Sequence, residues 1–412
     1  MRILGLVLIA LSGLAVSQGK PSFGQNGTVR LENTIAKYVP KAVLNAQGRI
    51  VLSGETANKM QTVVRLQANG QLDSSFGVLR LKALGQVFVD AQNRVLVVQK
   101  KQILRFNLSG VLDSSYGIKG IYTFPTGTQK TVLPMQKVVF NSDGSIWAAL
   151  LKSPRVANED PDSNYLTPQL IKITNQGRLD TGTGNKGFVN TKLEHPNVRI
   201  DALVRTSSGG VAMASSGNLN SPAGVSTYQP PIWIYRFNQN GQLEPQQKTD
   251  GFEALTCTNG GAVEFFAVRQ DNSAVFINSN SGDCNYMYRI WSLDAANQVQ
   301  KEFAQELPEE GTEGAALVKS QNGTLLLLDP KISSLRKAML YQDGSLVFYG
   351  ASNKTIQFQK ISRSGAIDTV FGKKEIPNPF KSTDYTILES EDNKILLVGL
   401  ENGAWSVKHL VF

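Results

Sequence analysis

Two short phrases place a carboxylate in nearly identical surroundings: Leu72 to Gly77 reads LDSSFG and Leu112 to Gly117 reads LDSSYG. Asp180 in LDTGTG and Asp368 in IDTVFG extend the set. Acids recurring in a fixed local setting could act as general acids, general bases or metal ligands. Their immediate neighbours point to a different job. Each of Asp73, Asp113, Asp180 and Asp368 follows a Gly turn and precedes Ser or Thr. There a short carboxylate satisfies backbone N–H groups and tolerates tight turns. Phe76, Tyr116 and Phe371 then offer apolar area to a neighbouring sheet, and Gly77, Gly117 and Gly372 allow a backbone angle closed to other residues. A basic residue precedes each phrase within a strand. Arg65, Arg105, Lys172, Arg236, Arg289, Lys360 and Lys408 are read as one repeated structural position, paired with a turn Asp.

The remaining catalytic inventory is thin. His195 and His409 are the two histidines, and neither belongs to a Ser-His-Asp or Cys-His pattern. No metal-ligand spacing and no cofactor motif are found, so no catalytic, metal or cofactor residue is assigned.

The elements that position these phrases form a repeat. Hairpins around a Gly or Asn turn start at 42, 87, 138, 202, 266, 316, 338 and 386, as in AVLNAQGRIVLSG at 42–54 and AMLYQDGSLVFYG at 338–350, and most carry a DG, QG, NG or DN step. Such steps supply the positive backbone angles of tight hairpins. In a full unit the hairpin leads to a strand with the basic residue, a polar Gly turn and the closing phrase, as in VVRLQANGQLD at 63–73. Hairpin starts are 45, 51, 64, 64, 50, 22 and 48 residues apart. All-strand units of roughly 40–64 residues predict an all-β, closed β-propeller of seven to eight blades. The short spacing after 316 leaves room for only half a unit, which is why the count stays open between seven and eight.

The chain ends on the basic-residue strand WSVKHLVF at 405–412, where a closing phrase is due. The missing phrase stands at the other terminus as PSFG, with Phe23 and Gly24. An N-terminal strand completing the last blade is therefore expected, which would close the ring and remove a free sheet edge. The pattern R-x-apolar-x-x-x-G-x-L-D-x-S-F-G, followed by the DG hairpins, resembles the delta-60 repeat of exported, mostly bacterial propeller proteins. The resemblance is sharpest in 61–117 and 358–372 and eroded in 243–303. It implies a propeller fold and brings no catalytic residues with it.

Met1-Arg2 followed by the uncharged stretch Ile3 to Val16 and small residues to Ser17 reads as a cleaved secretory signal. The expected organisation is a signal peptide at 1–17 and a single propeller at 18–412, exported to the periplasm, the cell surface or beyond. No further apolar run is long enough to span a bilayer. The formal charge of +9 is scattered, which fits a mild affinity for anionic surfaces rather than nucleic-acid binding. A monomer is expected. Cys257 and Cys284 are the two cysteines, and export favours their pairing.

Departures from the repeat mark the candidate site. Long inserts at 152–168 and 216–231 lie between second and third strands of adjacent units, and the next unit carries the connection 278–287 with Cys284. These three connections should emerge on one face. Glu159, Asp160, Asp162, Tyr165, Tyr228, Trp233, Asp283 and Tyr286 are the residues such a surface would present, and loops on rigid scaffolds are where binding concentrates. The leading expectation is a non-enzymatic scaffold binding a protein, a glycan or an envelope polymer. A carboxylate-based hydrolase or lyase of sugars or lactones is the alternative, and a purely architectural surface protein is the third reading.

Overall fold

The computed structural model describes residues 23–411 apart from 32–37, 125–131, 153–166, 192–197, 218–231, 245–261, 281–286, 301–316, 320–324, 328–334, 381–384, 391–393 and a few single or paired positions. Every regular element among the described residues is a strand. The protein is an all-β, seven-bladed propeller.

β1 (Thr28–Leu31) is followed by β2 (Lys41–Leu44), β3 (Ile50–Glu55), β4 (Gln61–Leu66) and β5 (Val78–Leu81), and the last four form the first antiparallel sheet in chain order. β6 (Gly85–Val89), β7 (Val95–Gln99), β8 (Gln102–Phe106) and β9 (Ile121–Thr123) form the second. The third is β10 (Val132–Phe140), β11 (Ile146–Lys152), β12 (Thr167–Ile173) and β13 (Phe188–Asn190). The fourth and fifth sheets have three strands among the described residues. These are β14 (Val198–Arg205), β15 (Val211–Gly217) and β16 (Ile232–Phe237), then β17 (Ala262–Val268), β18 (Ala274–Asn280) and β19 (Met287–Leu293).

A two-stranded pair, β20 (Leu317–Lys319) and β21 (Leu325–Leu327), precedes the sixth sheet of β22 (Leu335–Leu340), β23 (Leu346–Ala351), β24 (Thr355–Ile361) and β25 (Lys373–Pro377). The seventh sheet combines β26 (Thr386–Ser390), β27 (Lys394–Glu401) and β28 (Ala404–Val411) with β1. β1 runs antiparallel to β28, with Thr28 opposite Lys408 and Leu31 opposite Trp405.

The pair β20–β21 is not a blade. The inner strands β17 and β22 touch directly, while β20 packs beside β19. The half unit thus stands beside the fifth sheet as a separate pair, outside the row of inner strands, and the count of seven stands. Two short strands bury too little apolar surface to form a blade of their own.

Turn chemistry builds the hairpins as their steps predict. Gly48, Asn93, Gly144, Gly209, Asn272 and Gly344 all take positive φ between 61° and 82° at the Gly or Asn of the turn. Among the described residues six apolar clusters join neighbouring sheets. Val51, Phe76 and Phe106 pack between the first and second, Tyr116, Leu150 and Ile171 between the second and third, and Trp147, Trp233 and Phe237 between the third and fourth. Ile234 and Phe276 join the fourth and fifth, Tyr349 and Phe358 meet Tyr385 and Leu397 between the sixth and seventh, and Trp405 meets Ile50 between the seventh and first. Alternating side chains on each strand serve two neighbours at once, so central strands are buried along their whole length.

Candidate functional site

The repeated acids are joints between blades. Arg65 Nε donates to Asp73 Oδ2 at 2.8 Å, its guanidinium lies 4.5 Å from the centre of the Phe76 ring, and its Nη2 donates to the Leu108 carbonyl in the next sheet at 2.7 Å. The second sheet repeats the device. Arg105 Nε donates to Asp113 at 2.9 Å, stacks 4.3 Å from the Tyr116 ring and reaches the Asn175 carbonyl of the third sheet. Lys172 sits 3.8 Å from Asp180 and donates to the Gln239 carbonyl at 3.2 Å, and Lys360 lies 3.5 Å from Asp368. A cation is held by a carboxylate of its own sheet, covered by an aromatic ring and tied to the following sheet.

The same geometry sets the acidity. Burial opposes ionisation of Asp73, but hydrogen bonds from Ser75 and Arg65 outweigh it and hold the carboxyl below its ordinary value. Asp113 follows the same pattern through Ser115 and Arg105. Burial pushes the Tyr122 hydroxyl up to about 12 and lifts Tyr116 as well, so both rings are core. These groups are committed to structure, with no pair of carboxylates among them left for acid–base work.

Two sheets depart from the pattern. In the fifth, Arg289 does not occupy the repeated basic position: it is opposite Asn278, three residues too early. Ser292 stands there instead. Its hydroxyl donates to Gln300 Oε1 at 2.6 Å, a neutral replacement for the cation and carboxylate of the other sheets. The missing charge is supplied from the inner hairpin by Arg269, 6% exposed, whose Nη1 reaches Ser292 Oγ at 3.2 Å and whose Nε donates to the Gly344 carbonyl of the sixth sheet at 3.3 Å. An ion pair between Arg363 and Asp271 ties the same two sheets. Arg269 carries no repeat signature, because it lies on a hairpin turn rather than in the third strand. In the seventh sheet Lys408 is likewise out of phase, one residue too early: His409, opposite Leu396, stands at the repeated position, while Lys408 Nζ lies 3.1 Å from Glu401 at the β27–β28 turn of the opposite end.

The insert-bearing end is defined by its stems. β11 and β12 stay paired up to Lys152 opposite Thr167, β15 and β16 up to Ser216 opposite Ile232, and β18 and β19 up to Asn280 opposite Met287. Three consecutive sheets thus carry two-stranded stems at the same end, each ending at an insertion. The stem of the third sheet is braced sideways, with Thr191 Oγ1 donating to the Pro168 carbonyl at 2.6 Å and Gln169 Nε2 to Asn190 Oδ1 at 2.8 Å.

Of the residues assigned to that surface, Glu159, Asp160, Asp162, Tyr165, Tyr228, Asp283 and Tyr286 lie outside the described residues, as do Cys257, Cys284 and His195. Trp233 is a correction. It is 3% exposed and packs with Trp147, Leu170 and Val189 between the third and fourth sheets. Its position next to a polar insert suggests exposure, but β16 begins one residue earlier, and alternation turns its indole into the core. His409, the other candidate for proton chemistry, lies beside Phe23 with ring centres 5.5 Å apart. A cavity of about 820 Å³ opens where β1 meets the first sheet, lined by Gly24, Gln25, Thr28 to Leu31 and Asn69 to Leu72. Among the described residues of that lining Arg30 is the one that is charged.

The family described as "Domain of unknown function (DUF5122) beta-propeller" matches residues 48–76, which span the second and third strands of the first sheet and its closing phrase. Among curated proteins no match is found. Among solved structures the chain is similar to a prolyl endopeptidase at 12% identity and a TM-score of 0.50, covering 91% of this chain and 50% of that one. The chain therefore spans about half the length of that enzyme. It is also similar to the β-propeller domain of the Trilobed protease from Pyrococcus furiosus, at 7% identity and a TM-score of 0.43 over 91% and 98% of the two chains. BBS1N, in its complex with ARL6DN, gives 10% identity and a TM-score of 0.44 over 93% and 95%. At such identities what the comparison establishes for this chain is the propeller fold alone.

Proposed function

We propose that the protein is an exported, non-enzymatic binding scaffold whose working surface is the end bearing the 152–168, 216–231 and 278–287 connections. The observation that carries this reading is the row of three adjacent stems, paired to their last residues and standing on one end of a rigid ring. Long connections held at fixed separation by such stems form a contiguous surface at little entropic cost to binding. A protein, a glycan or an envelope polymer would suit it. The ring itself is closed, in this reading, by β1 completing the seventh sheet, and the leader is removed near Ser17. A disulfide between Cys257 and Cys284 would stiffen the third connection against the sheet that carries it.

The test is a double deletion of 155–166 and 218–231, each replaced by a short Gly-containing turn on the intact stem. Immobilised parent and deletion proteins are presented to glycan arrays and envelope fractions. Loss of every ligand the parent retains supports the reading, and unchanged retention overturns it. Sequencing the N-terminus of the secreted chain tests removal of the leader.

A further inference from the structure

Between residues 38 and 124, eleven Lys and Arg face four Asp and Glu, so the first two sheets carry +7 of the formal +9 of the chain. The acids are largely spoken for. Asp73 holds Arg65, Asp90 holds Arg94 at 2.7 Å, and Asp113 holds Arg105. Besides Arg49, Arg80 and Lys119, what remains is a set of lysines at the same end as the insert stems, where these two sheets have short connections.

Three hydrogen-bonding glutamines assemble that set. Gln61 Nε2, at the start of β4, bridges Ser53 Oγ and the Gly85 carbonyl, both at 2.7 Å. Gln99 Nε2, at the end of β7, donates to the Ala83 carbonyl at 2.7 Å, and Gln102 Nε2 donates to Gln99 Oε1 at 2.8 Å. The connection 82–84 is thereby clamped between the β3–β4 turn and the β7–β8 turn. Lys59, Lys82, Lys100 and Lys101 project from these three segments, and Lys41 begins β2 opposite Ser53. All five are exposed, and none has an ion-pair partner among the described residues. Leu84 and Tyr38, 54% and 51% exposed, stand among them.

We propose that this basic sector of the first two sheets binds an anionic linear polymer, a chain carrying a carboxylate or phosphate on successive units. Lysines on the tips of separate turns present point charges that follow a flexible polyanion without demanding one fixed geometry. A bilayer surface calls for a broader apolar contact. The larger group of exposed aliphatics, Leu72, Leu108, Val111, Leu112 and Ile118, lies at the closing-phrase end of the sheets, away from these lysines. The site uses none of the long inserts, so it stands or falls independently of them.

The test compares full-length mature protein with two triple variants of equal net charge. One is Lys82→Gln, Lys100→Gln and Lys101→Gln; the other removes three exposed cations near closing phrases, Lys119→Gln, Arg178→Gln and Lys186→Gln. Binding to medium-chain polyphosphate and to polygalacturonate is titrated across a salt series. Vesicles of equimolar phosphatidylcholine and phosphatidylglycerol form a third arm. The expected result is a loss of at least tenfold in affinity for both polymers in the first variant alone. Its log affinity against log salt should flatten by about 2, at roughly 0.7 for each lysine charge removed from the polymer. Equal weakening of the two variants, absence of parent binding to either polymer, or a selective loss of vesicle binding with polymer binding intact would each overturn the proposal. Matching circular dichroism and melting curves confirm that the variants are folded.

Discussion

The backbone amide of Gly24 donates to the carbonyl of Asn69 at 2.9 Å. Gly117 makes the same bond to Gln176 at 2.7 Å and Gly184 to Asn240 at 2.9 Å, each from a closing phrase to the polar turn of the next sheet. A residue near the start of the chain thus behaves as the final member of a series written along it. Gly24 has φ of 51°, and a Cβ there would lie 2.2 Å from the Thr28 carbonyl oxygen. Gly24→Ala should therefore destabilise the protein by about 2–4 kcal/mol, from strain plus displacement of β1. Gly77→Ala, at φ of 72° with open space around it, should cost about 1 kcal/mol. Chemical denaturation of the two variants tests the contrast, and equal losses would show that β1 is not held by this bond.

Asp73→Asn leaves the guanidinium of Arg65, 2% exposed, with only its carbonyl partner and the Phe76 ring. Stranding a buried charge is costlier than removing the pair, so a loss of about 3–5 kcal/mol is expected. Asp73→Asn combined with Arg65→Met should recover part of it. A double-mutant cycle by urea melts reads the coupling directly, and additivity of the two changes would refute it.

Acid should loosen these joints together. Asp73, Asp113, Asp143, Asp271, Asp343 and Asp368 all have carboxyl groups held below their ordinary value of 3.8. A folded pKa below the unfolded one contributes stability that is complete above about pH 4–5 and is lost as pH falls through the folded value. Melting temperature should accordingly be flat from neutrality to about pH 5 and fall steeply below about pH 4. Asp73→Asn should show a shallower acid limb than the parent.

Arg269→Met removes the cation that bridges the fifth and sixth sheets. Among the described residues six junctions have continuous apolar clusters, whereas this one is joined by Arg269, Gly344, Asp271 and Arg363, so the loss should be local. Hydrogen exchange is expected to quicken in 273–277 and 345–349 first, with the first three sheets unchanged. Uniform acceleration across all sheets would instead mean that the ring opens as one unit.

These contrasts mark where sequence is legible. Hairpins, closing phrases and the pairing of Arg65 with Asp73 are written locally, because turn residues and an eight-residue spacing act within one sheet. The substitution of Ser292 and Gln300 for a cation and a carboxylate is also local. Its compensation by Arg269 is not, since it depends on a hairpin turn meeting a third strand across the sheet. Trp233 defeats pattern reading for a related reason: burial between blades is decided by the phase of a strand whose start is hidden behind a polar insert. The blade count turns on β17 touching β22, a contact that no spacing encodes. The surface residues of the inserts belong to segments with no repeat to anchor them, so pattern can nominate Glu159 or Tyr228 but not arrange them.

The pairing of Thr28 with Lys408 has a kinetic side as well. β1 has its partner in β28, beyond all the other sheets in chain order, so the seventh sheet cannot be finished until everything between them exists. Chain entropy is a mild obstacle to this, since each doubling of the intervening length adds only about 0.6 kcal/mol. Search time is the larger one, because distant strand pairings are slow to form. Six sheets can assemble from neighbours as they emerge, while β1 waits, and through that interval both β28 and the first sheet present unpaired surface. The slowest phase of refolding should therefore report on Trp405, which lies at that junction, and supplying β1 as a separate peptide to a chain lacking it should shorten the wait.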